Sequence, residues 1–338
     1  MRNDTRGVFN AYCADLARLN GIPDATRKFA VAPTVEQTLE NRIQQSAEFL
    51  GRVNVAGVSQ QSGQVLGLGT TGPIAGRTDT TNAERQPRDI HGLGKREYLC
   101  RQTNFDSFIR YETLDAWAKF PDFQTRVRNK VIEQIARDRL TIGWNGTSAA
   151  ANTDPVANPL LQDVNIGWLE YLRTVDPARV FTGPKVGDQA GSDYKTLDGL
   201  IFDAVNTFLD DWYKDDPNIV AICGRSLYSE RMLTLIEVNS GTPTEAVALK
   251  TLQAGRAVGG KTAQFVPFFP TVSILLANPK NLSIYWQTGT RRRQIEDQPS
   301  WDRIVDFQSV NEGYVIEDTG ACCLIEGIQV PDGSGGWA

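Results

Sequence analysis

Two glycine-rich stretches have the spacing of phosphate-binding motifs. Gly67-Leu-Gly69-Thr-Thr-Gly72 fits GxGxxG, whose glycines let a pyrophosphate approach a helix N-terminus closely. Pro73 comes next, then Gly76, Arg77, Thr78 and Asp79, which start no helix, and no βαβ pattern surrounds the stretch. Gly255-Arg-Ala-Val-Gly-Gly260-Lys261-Thr262 fits the phosphate-loop pattern GxxxxGK plus Ser or Thr. That loop needs a strand before it and a helix after it, so that the helix dipole and successive N–H groups hold the phosphates. Here a helical stretch, Ala246–Ala254, comes first and a strand-like one, broken by Pro267, comes after. A glycine hairpin between a helix and a strand is the expected structure, and a nucleotide-binding enzyme using Gly255–Thr262 is the disfavoured alternative.

Other chemistry is equally short of parts. His91 is the chain's single histidine and has no GxSxG elbow to serve. Cys13, Cys100, Cys223, Cys322 and Cys323 include no CxxC spacing, so they read as buried thiols. Cys322 and Cys323 should point to opposite faces of a strand and stay unbonded. The pairs Asp210/Asp211 and Asp215/Asp216 sit at a helix end and in a turn, where solvated charges are expected. No catalytic residue, cofactor or metal is expected.

The elements that would position a site are clearer than the site. At 338 residues the chain exceeds the roughly 250–300 at which a single core stops growing, so two packed units are expected. Its net charge of −5 argues against a protein that reads nucleic acid through a basic face, though a container needs no such grip. No apolar run reaches the roughly 18 residues of a membrane span, and the N-terminus has no secretory h-region, so a cytoplasmic chain is expected.

An amphipathic helix is predicted over 4–20, stopped by Gly21 and Pro23, and then a polar hinge before Phe29, so that the helix is expected to be a separate module. A second helix is predicted over 34–50, with strand pieces at 53–58 and 65–68. The polar stretch to about 100 is too long for an ordinary connection and suggests a projecting two-stranded arm. A long helix over 122–143 carries a narrow stripe, Phe123, Val127, Val131 and Ile135, with Arg126, Arg137 and Arg139 on its polar sides. The stripe of a helix over 197–212 ends at Trp212, and a buried strand is expected next at 219–223. Helices are expected at 227–238 and 244–254, and strands at 263–269, 272–277, 282–286, 303–308, 313–317 and 321–328. This grouping makes the fold α+β.

Particular stretches then identify a family. FNAY at Phe9–Tyr12, ERQPRD at Glu84–Asp89 and FIRYETLDAWAKFPDFQTRVRN at Phe108–Asn129 resemble the major capsid proteins of P-two-like temperate tailed bacteriophages. So do LLQDVNIGWL at Leu160–Leu169, NLSIYW at Asn281–Trp286 and RRQIEDQPSWDRIVDFQSVNEGYVIED at Arg292–Asp318. The resemblance implies the Hong Kong ninety-seven capsid fold. It implies an N-terminal assembly segment (1–29), an N-arm (30–58) and an extended β-hairpin loop (59–112). After these would come a peripheral domain (113–194, with a spine helix at 122–143), an axial domain (195–281), peripheral strands (282–330) and a loose tail (331–338). It also implies protease removal of the first segment, and the hinge places the cut between Phe29 and Ala30. The implied partners are copies of the chain in hexamers and pentamers, a scaffolding or maturation protease protein, a portal, and double-stranded DNA held without sequence-specific contacts. Its place would be the virion, after assembly in the host cytoplasm. An encapsulin-like compartment shell is the nearest alternative.

Overall fold

The computed structural model describes residues 1–65, 75–82, 84–87, 96–117, 123–227, 257–331 and 336–337. Among these residues the chain folds around two main sheets. The first has seven strands: β1 (Phe29–Ala30), β2 (Asn54–Val58), β5 (Arg101–Asn104), β6 (Ser107–Arg110), β12 (Leu282–Gln287), β13 (Arg292–Gln298) and β14 (Arg303–Ile316). Its axis is β14, which pairs antiparallel with β12, β13, β5 and β6 along its 14 residues. The two strands expected at 303–308 and 313–317 are therefore one, because partners are available along its whole length.

The second sheet runs β7 (Val180–Thr182), β15 (Cys322–Glu326), β11 (Ile274–Ala277), β8 (Val220–Cys223), β10 (Lys261–Gln264) and β9 (Ala257–Val258). Its central strands are buried on both faces, which is why they read as continuous apolar runs. Alternate residues enter two cores. Ile222, Leu275 and Cys322 join the core shared with the seven-stranded sheet. Ala221, Leu276 and Cys323 pack instead with helix α6 (Leu197–Phe208). Cys322 and Cys323 thus lie in different cores and are unbonded, as expected.

Helix α1 (Asn3–Asn20) ends on Gly21, whose left-handed backbone (φ 65°) turns the chain out of the helix. It packs on a third core with Phe29, Leu114 and Ile304, so it is docked on the protein and is no free module. Helix α2 (Pro33–Gln45) is shorter than the predicted 34–50, since a separate 3₁₀ turn occupies Leu50–Arg52. A two-stranded sheet, β3 (Ser62–Gln64) with β4 (Glu97–Leu99), forms the base of the polar arm. Val65 is buried beyond β3, and 66–68 lie outside the described residues. After β6 comes the short helix α3 (Tyr111–Trp117).

Helix α4 (Phe123–Asn145) is the predicted long helix, two residues longer at its C-terminal end. Its apolar contact is narrow only in the first half. Between Ala136 and Trp144 the burial spreads around the helix, because α2, α5 (Trp168–Val175) and the sheet enclose it. Arg139, expected on a solvated side, is 1% exposed there.

Several boundaries differ from expectation. Residues 101–110, assigned to the extended loop, belong to the first sheet through β5 and β6. Strand β15, grouped with the strands returning after 282, belongs to the second sheet. Strand β10 stops at Gln264, short of 269. The helix expected to reach Trp212 ends at Phe208. Leu209 is extended, the Asp210 N–H donates to Gly320 O (3.1 Å), and the Arg179 guanidinium donates to Phe208 O. Trp212 falls in a separate short helix, α7 (Asp211–Lys214), and is 84% exposed. The tail is not wholly loose: Trp337 pairs with Pro331 and lies under Lys185, and Gly336 O accepts from Gln189. The helices expected at 227–238 and 244–254 lie outside the described residues, apart from Leu227.

Candidate functional site

Phe29 and Ala30, the expected cleavage pair, form β1 at one end of the order β1-β13-β14-β12-β2. Phe29 faces Arg293 and Ala30 faces Arg292, and the next N–H, from Val31, donates to Arg291 O (2.9 Å). Phe29 is buried and Ala30 is exposed. The polar stretch before it is ordered by Asp24, which accepts from the backbone N–H (2.8 Å) and hydroxyl (2.7 Å) of Thr26. Those bonds hold the Asp24 carboxyl below its ordinary range. The junction is therefore an edge strand, extended as a protease requires but tied to its neighbour. Helix α1 is fastened by polar contacts: Arg293 donates to the Tyr12 hydroxyl (2.8 Å), Arg6 pairs with Asp297 (3.4 Å), and the Arg2 N–H donates to Asp115 (3.0 Å).

The described part of the phosphate-loop match is a hairpin. Strands β9 and β10 pair antiparallel across Gly259 and Gly260, whose φ values of 56° and 81° are those of a two-residue turn that side chains resist. The Gly259 N–H donates to Asp198 (2.8 Å), and the Lys261 ammonium donates to the carbonyls of Lys214 (2.8 Å) and Asp216 (3.0 Å). With a strand after it and its lysine engaged, this loop cannot cradle a phosphate. Gly255, Arg256, the GxGxxG stretch from Gly67 to Gly72 and His91 lie outside the described residues.

The remaining candidates are structural. Burial pushes the Cys100, Cys322 and Cys323 thiols up to about 12, leaving them protonated and unreactive. Asp210 accepts from Arg179, and Asp211 pairs with Lys214. Among the described residues no cluster of His, Cys, Asp and Glu could hold a metal ion, and no helix is long and apolar enough to cross a membrane.

A buried charge network was not anticipated from the sequence. Arg139 donates to both oxygens of Glu40 (2.6 and 3.1 Å) and to Glu312 (2.9 Å), while Arg291 donates to Glu40 from the other side. Glu36 accepts from the Gly289 N–H (3.0 Å). These groups join α2 to α4, β14 and the turn between β12 and β13. One signal was available: Glu36 and Glu40 are four apart and Ile43 lies three further on, so two carboxylates share the stripe that a buried isoleucine marks.

Among the described residues, the groups singled out from the sequence are engaged in holding the two-sheet frame together. Residues 8–328 match the family model described as "Phage major capsid protein, P2 family", and this chain belongs to that family. It is similar to the capsid proteins of Escherichia phage P2, with 41% identity over 98% of this chain and 96% of that protein. It is also similar to the major capsid protein of Serratia phage KSP20, with 39% identity over 97% of each. Among solved structures, a chain of the satellite phage P4 procapsid that includes the size determination (Sid) protein matches with a TM-score of 0.81. That match has 39% identity and covers 99% of this chain and 100% of that one. The capsid of a native GTA particle shares the fold at a TM-score of 0.52 and 13% identity, over 83% of this chain and 89% of that one. The chain is a phage major capsid protein with the Hong Kong ninety-seven fold, a shell component of the virion.

Proposed function

We propose that this chain closes into an icosahedral head around double-stranded DNA, as hexamers and pentamers of itself, working with a scaffolding or maturation protease and a portal. The observation that carries this reading is the arm. Residues 75–82 and 84–87 are all exposed, and their hydrogen bonds among the described residues are local, such as Asp79 accepting from Thr81 and Asn82. An arm whose described bonds are all its own is suited to lie over a neighbour. Residues 113–194 apart from β7, with the strands from 282 to 316, act as the peripheral unit, and 195–281, joined by β7 and β15, as the axial unit. Residues 1–29 serve as an assembly segment removed by cutting between Phe29 and Ala30. No enzymatic step is assigned to the chain. Assembly takes place in the host cytoplasm.

Expression of the full chain with a phage scaffolding protein, followed by size-exclusion and electron microscopy, tests the reading. Closed or aberrant shells are expected, containing nucleic acid when matured. A persistent monomer overturns it, and particles filled with an enzyme cargo favour the compartment-shell alternative.

A further inference from the structure

The hairpin joining β13 to β14 ends in an exposed stack of three side chains. The Arg303 guanidinium lies 5.1 Å from the Phe108 ring centre on β6 and 5.3 Å from that of Trp301. Trp301 is 68% exposed, Phe108 54% and Phe307 37%. Such rings are large apolar surfaces to leave in water, and Trp and Arg together are the composition of an interface hot spot. The stack is held ready. Pro299–Trp301 forms a 3₁₀ turn, Asp302 has the left-handed φ of 48° that Asp tolerates better than most, and its carbonyl accepts from the Tyr111 N–H (2.9 Å). Arg303 Nε donates to Gln298 (2.9 Å). A surface already fixed in shape loses little freedom on docking.

The charges say what docks there. Arg303 lies directly opposite Arg110 in the β6–β14 register, and like charges in that position repel. Among the described residues no carboxylate forms an ion pair with either. The same end of the sheet also presents the exposed carboxylates Asp302 and Glu112. Two basic and two acidic groups beside one aromatic stack make a self-complementary surface, in which the arginines of one copy meet the carboxylates of the next. We propose that the Phe108–Arg303–Trp301 stack is a contact between copies of this chain, with Arg110 and Arg303 facing Glu112 and Asp302 of a second copy. The inference rests on the shell reading and adds the residues of one contact to it.

Cross-linking in assembled particles tests it. The Ser300→Cys chain, whose exposed new thiol lies beside the intact stack, is co-assembled with scaffolding protein, treated with a short bismaleimide and run on a denaturing gel. The native cysteines compete little, because Cys100, Cys223, Cys322 and Cys323 are buried and Cys13 is half-buried. Covalent dimers or larger multimers of the chain are expected. In a second arm, Arg110→Glu/Arg303→Glu chains should still fold and melt cooperatively, a little below the parent for the lost Gln298 bond and ring contacts, but yield about tenfold fewer particles. Co-expression with Glu112→Arg chains should restore the yield. Particles in which the introduced thiol stays unlinked or links only to a different protein overturn the contact, as does a yield that ignores the charge reversal, and each leaves the shell reading standing. An unsubstituted chain that never forms particles overturns the shell reading and the contact with it.

Discussion

Glu40 lies on α2 between two guanidiniums, those of Arg139 and Arg291, with about 1% of its surface exposed. Burial alone would push its carboxyl up, but the two arginines more than reverse this and hold it below its ordinary range. A carboxyl so held stabilises the fold above its unfolded pKa, and that contribution is lost as pH falls through the lower folded value. Glu40→Gln should therefore cost about 3–5 kcal/mol at neutral pH, since it takes the carboxylate from buried Arg291 and leaves Arg139 with Glu312 alone. In thermal melts the gap between variant and parent should narrow as the pH is taken below 4.5, the ordinary value. An unchanged melting temperature at pH 7 would remove the network from the account of stability. Glu36 has the opposite sign: burial raises its carboxyl, and one oxygen has no partner. Its ionised form penalises the fold at neutral pH and the penalty disappears in acid, so Glu36→Gln should raise the melting temperature at pH 7 and not at pH 4. Lys261 gives a further contrast. Burial lowers its ammonium, and its contacts are two carbonyls at the end of α7. Lys261→Ala should leave particle assembly nearly intact, and the appearance of an ATPase activity that this change abolishes would reverse the hairpin assignment.

Helix α4 meets the start of α5 through glycines that allow backbone contact. A Cβ on Gly143 would lie 2.3 Å from the Trp168 ring, and one on Gly167 would lie 2.2 Å from Ile142 O. Trp168 is itself fixed by its indole N–H, which donates to Ser283 O (2.9 Å), and by the Trp144 and Tyr314 rings beside it. With no room to move the ring, Gly143→Ala should cost roughly 1–3 kcal/mol by overpacking, measurable as a lower denaturant midpoint. An equal or raised midpoint would mean that α5 can shift away. The helix itself was legible, because Val127, Val131 and Ile135 repeat at four residues, and so was β8, a continuous apolar run too short for a helix. The reach of α6 was not. Trp212 continues the helical spacing of Val205, Phe208 and Leu209, yet the helix is ended by Arg179 and Gly320, both distant in sequence. Arg139 was misplaced for the same kind of reason: its buried partners come from α2 and β14, and a single helix's periodicity does not contain them.

At the scale of the molecule, the glycine hairpin could be read from context, and the family from long ordered stretches such as Phe108–Asn129. What pattern alone misread was the docking of the first segment, expected as a separate module on a hinge, because a hinge and an edge strand look alike in a short polar stretch ending at Phe29. The structure makes that difference matter for processing. Residues 1–29 carry Arg2, Arg6, Arg18, Arg27 and Lys28 against Asp4, Asp15 and Asp24, a net +2 in a chain of −5. Under the processing proposed above, their loss would leave a more acidic remainder, to which DNA would stick less. Yet the Phe29–Ala30 bond is paired with β13, and folded, hydrogen-bonded backbone resists proteases. Cutting thus requires β1 to leave the sheet, and α1 is held beside it by Leu16 and Ala17, by the half-buried Phe9 and Tyr12, and by a few polar contacts. Substituting Arg293 with Ala removes both the Tyr12 contact and the pair with Asp306, loosening α1 and β13 together. DNA-filled heads should contain a chain beginning at Ala30, and Arg293→Ala particles should reach that form faster in a time course of intact mass with the maturation protease. Full-length chains throughout such heads would falsify the processing proposal, while equal rates for the two chains would show that release of the edge strand does not limit the cut.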